Sequence, residues 1–154
     1  MAAPRIPNTD LPARQVSMRC PPAEAVSIEL EAAFADIDAL QIAWHGHYFR
    51  YLDLARTALM RSRELDIPQL MELNYRMVVV ESHCRHIFPL HYGDKFRVTA
   101  WVVEAWNRIK IAYLIFNLTH DRRTARAHTV LVTTDPAGRC LWETPPEIRK
   151  RLHF

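Results

Sequence analysis

The stretch that decides the fold runs from Asp36 to Arg56 and reads DIDALQIAWHGHYFRYLDLAR. Ahead of it, apolar and polar residues alternate. Val26, Ile28, Leu30, Ala32 and Phe34 fall on one side, Ser27, Glu29, Glu31, Ala33 and Ala35 on the other. A period of two marks a strand with one buried face. Within the quoted stretch the period lengthens. Tyr48, Tyr51, Leu52, Ala55, Ala58 and Leu59 form a stripe, with Arg50, Asp53, Thr57, Arg61 and Glu64 opposite it. That spacing predicts a helix over roughly 47–65. Asp66 and Pro68 are expected to close it, because the residue before a proline is pushed out of helical conformation. Strand and helix meet at two acids, Asp36 and Asp38, and two histidines, His45 and His47, that flank Gly46.

Four more runs, over 75–88, 95–106, 108–120 and 124–134, are rich in β-branched and aromatic residues, the composition of strands. The links between them are short: 89–93, a turn at Asn107 and a charged turn over 121–123. Short links predict antiparallel hairpins. Pro136-Ala-Gly138 reads as a last turn, and Pro145-Pro146-Glu147 as the start of a short basic helix. One strand, one long helix and four long strands point to an α+β fold, with the helix lying across a curved five-stranded antiparallel sheet. Long sheet edges favour a homodimer or homotetramer.

The 154-residue chain suits one domain, expected over 25–154. Residues 1–24 hold five of the ten prolines and no apolar periodicity. They read as a disordered or loosely ordered tail, and removing residues 1–20 is expected to leave the fold intact. The formal charge is +3 with lysine only at Lys95, Lys110 and Lys150, too weakly basic for a nucleic-acid binder. No apolar run has the length of a membrane span. Three cysteines without metal-like spacing fit a reduced compartment, so the expected location is cytoplasmic.

Several motifs together resemble one family. Asp36-Ile-Asp38, Trp44-His45-Gly46-His47-Tyr48 and Asp53-Leu-Ala-Arg56 follow one another in register as in the hotdog-fold acyl-CoA thioesterases of the 4-hydroxybenzoyl-CoA type. Pro89-Leu-His-Tyr-Gly93-Asp94 with Phe96-Arg-Val98 resembles that family's turn into its next strand. Residues 127–135 and 144–147 resemble its last strand and terminal helix. The likeness spans roughly 26–152 in the order of elements typical of such α+β domains. Two positions depart from it: the family's glycine is Gln41 here, and its helix-start asparagine is His47, a poorer N-cap.

The resemblance implies hydrolysis of an acyl thioester, carried by CoA or an acyl-carrier protein, with no cofactor. It places the base or nucleophile at Asp38 and oxyanion donors among the backbone amides near His45, Gly46 and His47. The chemistry fits the residue types. A helix start offers unpaired N–H groups and partial positive charge, and a glycine there is expected to leave room for an incoming carbonyl. A facing carboxylate can attack or deprotonate water. His45 can orient Asp38 or protonate the leaving thiolate. Gln41 and Trp44 are candidate substrate contacts. Arg108, Lys110, Arg122 and Arg123, at hairpin ends, are candidates for CoA phosphates or an acidic carrier. Asp53, between Arg50 and Arg56, reads as a salt-bridged structural acid.

Other readings are weaker. A metal site drawn from Asp36, Asp38, His45 and His47, with His83, His86 or His91 in support, is disfavoured because the two histidine side chains diverge at a helix start; none is expected. His86-Ile-Phe-Pro-Leu-His91 lacks the rest of a hotdog dehydratase pattern. The alternative from another class is a non-catalytic hotdog dimer that binds acyl thioesters or a protein partner, favoured by Gln41 and His47.

Overall fold

The structure, a computed structural model, describes residues 16–154. The first fifteen residues of the expected tail lie outside the described residues. Five strands, β1 (Val26–Glu31), β2 (Arg76–His86), β3 (Lys95–Ala105), β4 (Ile109–Asn117) and β5 (Arg122–Thr134), form one antiparallel sheet in the order β1-β3-β4-β5-β2. Helix α1 (His47–Ser62) packs against one face, touching β1, β3 and β2. Register shifts at Val79/Glu81, Val102/Glu104 and Ile115/Phe116 add twist locally, as bulges do. They let the sheet curve around the helix.

The helix stripe is the core stripe. Tyr48, Tyr51, Leu52, Ala55 and Leu59 are buried on α1 and meet Phe96, Val98, Ala100, Ile111, Tyr113 and Ile115 from the sheet. Ala55 and Ala100 leave room for close approach, while the Tyr51 and Phe96 rings pack with centroids 4.9 Å apart. Burying side chains such as Leu52 and Leu59 is worth about 1.5–3 kcal/mol each.

Four expectations change. The first strand stops at Glu31: Ala32 is buried, but Phe34 enters a 3-10 turn (Phe34–Asp36), is 81% exposed and meets the Tyr92 ring edge-on. Asp66 and Pro68 do not close the long helix. It ends at Ser62, and Asp66 instead caps a second helix, α2 (Ile67–Glu72), by accepting from the Ile67 amide, with Pro68 in the first turn where its missing N–H costs nothing. The link over 89–93 is no hairpin either, since β2 pairs with β5 at one edge and β3 lies beside β1. The chain crosses the sheet there, and the buried Leu90 lends its carbonyl to the Ala43 amide at 2.8 Å. Finally, the β4–β5 turn precedes its expected place: Asp121 takes φ 51°, and Arg122 already pairs with Asn117. The terminal helix, α3 (Pro146–Arg151), starts at the expected proline.

Residues 16–24 have a structural partner. Trp101 lies between Ala100 and Val102, which face the core, so its side chain points to the opposite face of the sheet. It is nevertheless only 2% exposed, and its indole N–H donates to the Ser17 carbonyl at 2.8 Å. The outer edge of β2 exposes Val78, Val79 and Val80. Among the described residues, no helix is long and apolar enough to cross a membrane.

Candidate active site

The two junction acids have different surroundings. Asp36, 3% exposed, closes the 3-10 turn. Its Oδ2 accepts the Tyr51 hydroxyl at 2.8 Å and the Ala33 amide at 3.3 Å, and Arg50 bonds to Oδ1. Burial first, and then the bond to Asp36, push the Tyr51 phenol well above its ordinary range. Asp36 therefore ties the end of β1 to α1. Arg50, expected beside Asp53, is the partner of Asp36 instead.

Asp38 opens a tight turn. Its amide donates to the Ile42 carbonyl at 2.9 Å, its carbonyl accepts from Gln41 at 3.0 Å, and its Oδ1 accepts from the Leu40 amide at 2.8 Å. The loop is pinned below by the Ile37–Ala43 bridge. One carboxylate oxygen is thus oriented by the backbone, while Oδ2 makes no hydrogen bond among the described residues. Gln41 sits in this turn at φ 67° with an exposed side chain. The left-handed conformation explains a glycine at this position. The side chain does not line the groove described next, so it leaves that groove's width unchanged.

Asp38 and His45 line one groove of about 320 Å³, walled by Tyr48, His86 and Phe88. The Tyr48 phenol, desolvated there, is pushed up to about 12. His86 packs edge-on against the Tyr48 ring at 4.5 Å. Desolvation, and then the charge of His45, hold it below the usual histidine range. The sequence marks His86 only as support for a metal site and Tyr48 as core, not as walls of this groove, for different reasons. Tyr48 matched the core stripe, and His86 reaches the groove only because β2 ends beside the crossing link.

The helix start is narrower than expected. The amides of His47 and Tyr48 already donate to the carbonyls of Trp44 and His45, at 2.9 and 3.3 Å. Among the described residues, those of His45 and Gly46 make no hydrogen bond. Gly46 itself does not open onto empty space. A Cβ there would meet the Trp44 ring at 2.2 Å, so the indole occupies the room the glycine leaves. Trp44 is nearly half exposed and also contacts the His45 and His47 rings at 5.1 and 5.4 Å.

The basic candidates fall into two groups. Arg108 just precedes β4 and Lys110, paired with Val130 of β5, lies at its start, while Arg122 and Arg123 lie at the other end, a strand length of roughly 25 Å away. Only the second group is near the groove: the Arg122 guanidinium lies 4.4 Å from the centre of the Phe88 ring. Asp53 pairs with Arg56 at 2.7 Å. It lines a second groove, of about 250 Å³, with Phe49, Val79 and Ser82.

A family model described as the thioesterase-like superfamily matches residues 32–152. A protein of Aquifex aeolicus (strain VF5) named "Putative esterase" is 28% identical over 96 residues, covering 62% of this chain and 74% of that protein. Two solved structures share the fold. The first is 1,4-dihydroxy-2-naphthoyl-CoA thioesterase from Synechocystis, with TM-score 0.74 and 18% identity over 84% of this chain and 96% of that one. The second is a 4-hydroxybenzoyl-CoA thioesterase mutant complexed with 4-hydroxybenzoyl-CoA, with TM-score 0.75 and 17% identity over 84% of this chain and 99% of that one. The chain belongs to the thioesterase-like superfamily, and its α1-on-sheet architecture is the hotdog fold.

Proposed function

We propose that the protein hydrolyses an acyl thioester, borne by CoA or an acyl-carrier protein, to the free acid and thiol. One observation carries the reading: Asp38, with one oxygen held by the Leu40 amide, lines the same groove as His45, whose amide and that of Gly46 make no hydrogen bond among the described residues. Water attacks the thioester carbonyl as Asp38 takes its proton. The oxyanion is met by the His45 and Gly46 amides once Trp44 swings aside. The C–S bond then breaks, and the departing thiolate takes a proton from the His45 side chain or from solvent. Direct attack by Asp38 would instead form a mixed anhydride that water opens. Arg122, beside the groove, is the basic residue best situated for a carrier's phosphates. Pairing of two exposed β2 edges would give a dimer with a continuous sheet.

The occupied space over Gly46 favours a second reading, a dimer that binds acyl thioesters without turnover, with Trp44 fixed in its seat. Release of free thiol across a panel of aliphatic and aromatic acyl-CoA and acyl-carrier thioesters separates the two. Turnover above an enzyme-free blank for at least one substrate is expected. Saturable binding with no turnover of any bound thioester would establish the binder.

A further inference from the structure

We propose that His91, Asp94 and His120 form a binding site for one divalent transition-metal ion of the zinc class, separate from the thioester groove. The site joins the link that crosses from β2 to β3 with the turn between β4 and β5. His91 Nδ1 lies 3.5 Å from Asp94 Oδ2, and His120 Nε2 lies 3.2 Å from Asp94 Oδ1. The three ligand atoms all fall within 4.8 Å of one another.

Those distances fit a tetrahedral ion. Ligands about 2.0–2.1 Å from the metal sit roughly 3.3–3.4 Å apart along each edge of the tetrahedron. With Oδ1 as the ligand oxygen, the His120 edge at 3.2 Å already matches, while the 3.5 Å from His91 runs to the other oxygen. The other two edges lie within 4.8 Å and have to shorten, and at 46% and 45% exposed both rings have room to turn.

The carboxylate is prepared as a metal ligand usually is, by partners outside the coordination sphere. Asp94 is only 5% exposed at its side chain. Its Oδ2 accepts from the His91 amide at 2.9 Å and from Asn117 Nδ2 at 2.8 Å. Asn117 Oδ1 in turn accepts from the His120 amide at 3.0 Å, so one side chain fixes both the acid and the turn that carries the second histidine. Oδ1 faces His120. Among the described residues, no lysine or arginine forms an ion pair with Asp94. Two imidazole nitrogens and one carboxylate oxygen suit zinc, cobalt or nickel, whereas calcium and magnesium favour all-oxygen sets. The exposed side of the two rings leaves the fourth position to water. Phe88 stands between this site and the groove, its ring 6.2 Å from that of His91 and 5.7 Å from that of His120.

Cobalt(II) is a spectroscopic probe of such a site. Tag-free, chelator-stripped full-length protein should take up one equivalent with a ligand-field absorption band, and zinc should displace it. Asp94→Ala is a poor test because it also removes the cap on residue 91. His91→Gln and His120→Gln keep that cap and should each abolish the band. Asn117→Ala, with all three ligands present, should weaken binding by about ten- to a hundredfold. His128→Gln, in the stacked His83–His128 pair elsewhere on the sheet, should change nothing. No band at stoichiometric cobalt, or a band that survives His91→Gln and His120→Gln, would overturn the assignment. Because thioester turnover is not the readout, neither result bears on the proposed hydrolase.

Discussion

The Tyr51 hydroxyl donates to Asp36 Oδ2 at 2.8 Å inside the core. Through that bond the buried acid of the junction holds strand to helix, while Asp38, two residues on, lines the groove with an oxygen that takes no hydrogen bond among the described residues.

The first prediction follows from this division. Asp36→Ala leaves the Tyr51 hydroxyl buried without an acceptor and frees the Ala33 amide. It should cost about 2–3 kcal/mol in urea denaturation, the scale of losing a hydrogen bond to a charged group. The exposed Arg50 partner adds little to that figure.

Gln41 offers an opposite change. Holding a side chain at φ 67° costs about 1–2 kcal/mol, from which glycine's extra chain entropy must be subtracted. Gln41→Gly should therefore stabilise the protein by about 0.5–1 kcal/mol, measured by thermal and urea unfolding. A loss of stability would mean that the side chain makes a contact worth more than the strain.

His86 should titrate below the usual histidine range by NMR, and His45→Ala should move it upward by removing one of the two causes. The sign for stability follows. Between the lowered folded value and the ordinary unfolded one, the unfolded chain binds more protons, so stability contributed by a neutral His86 is complete above about pH 6.5 and declines as the pH falls through that window.

Removal of residues 1–20 tests the contact between Ser17 and Trp101. It deletes the acceptor of the indole N–H and uncovers the ring, so the loss should be about 1–3 kcal/mol. A matched deletion of residues 1–15 keeps Ser17 and serves as the reference. Equal unfolding midpoints for the two truncations would show that the contact contributes nothing.

The periodic parts of this chain were legible in its sequence. The change of period between Leu30 and Tyr48 marks the strand and the helix, and the stripe from Tyr48 to Leu59 is the core. What sequence could not supply was long-range placement. A five-residue link reads as a hairpin whether or not its strands pair, and here the pairing of β2 with β5 overrides it. That crossing brings His86 and Phe88 to the groove and His91 toward His120. The Asp-x-Asp motif marked the junction, but which acid is buried depends on Tyr51 and Arg50, one to two helical turns into α1. Gly46 was legible as unusual; only packing reveals that the Trp44 indole fills its space.

The most direct measurement is the turnover of Asp38→Asn. The substitution keeps shape and polarity, and the asparagine oxygen can still accept from the Leu40 amide, but it removes the charge that would take water's proton. With a thioester that the wild type hydrolyses, kcat should fall by roughly a hundredfold or more, the scale of losing a general base, while KM changes little. Folded Asp38→Asn protein with wild-type kcat on that thioester would contradict the account and move the chemistry to Asp53 in the second groove.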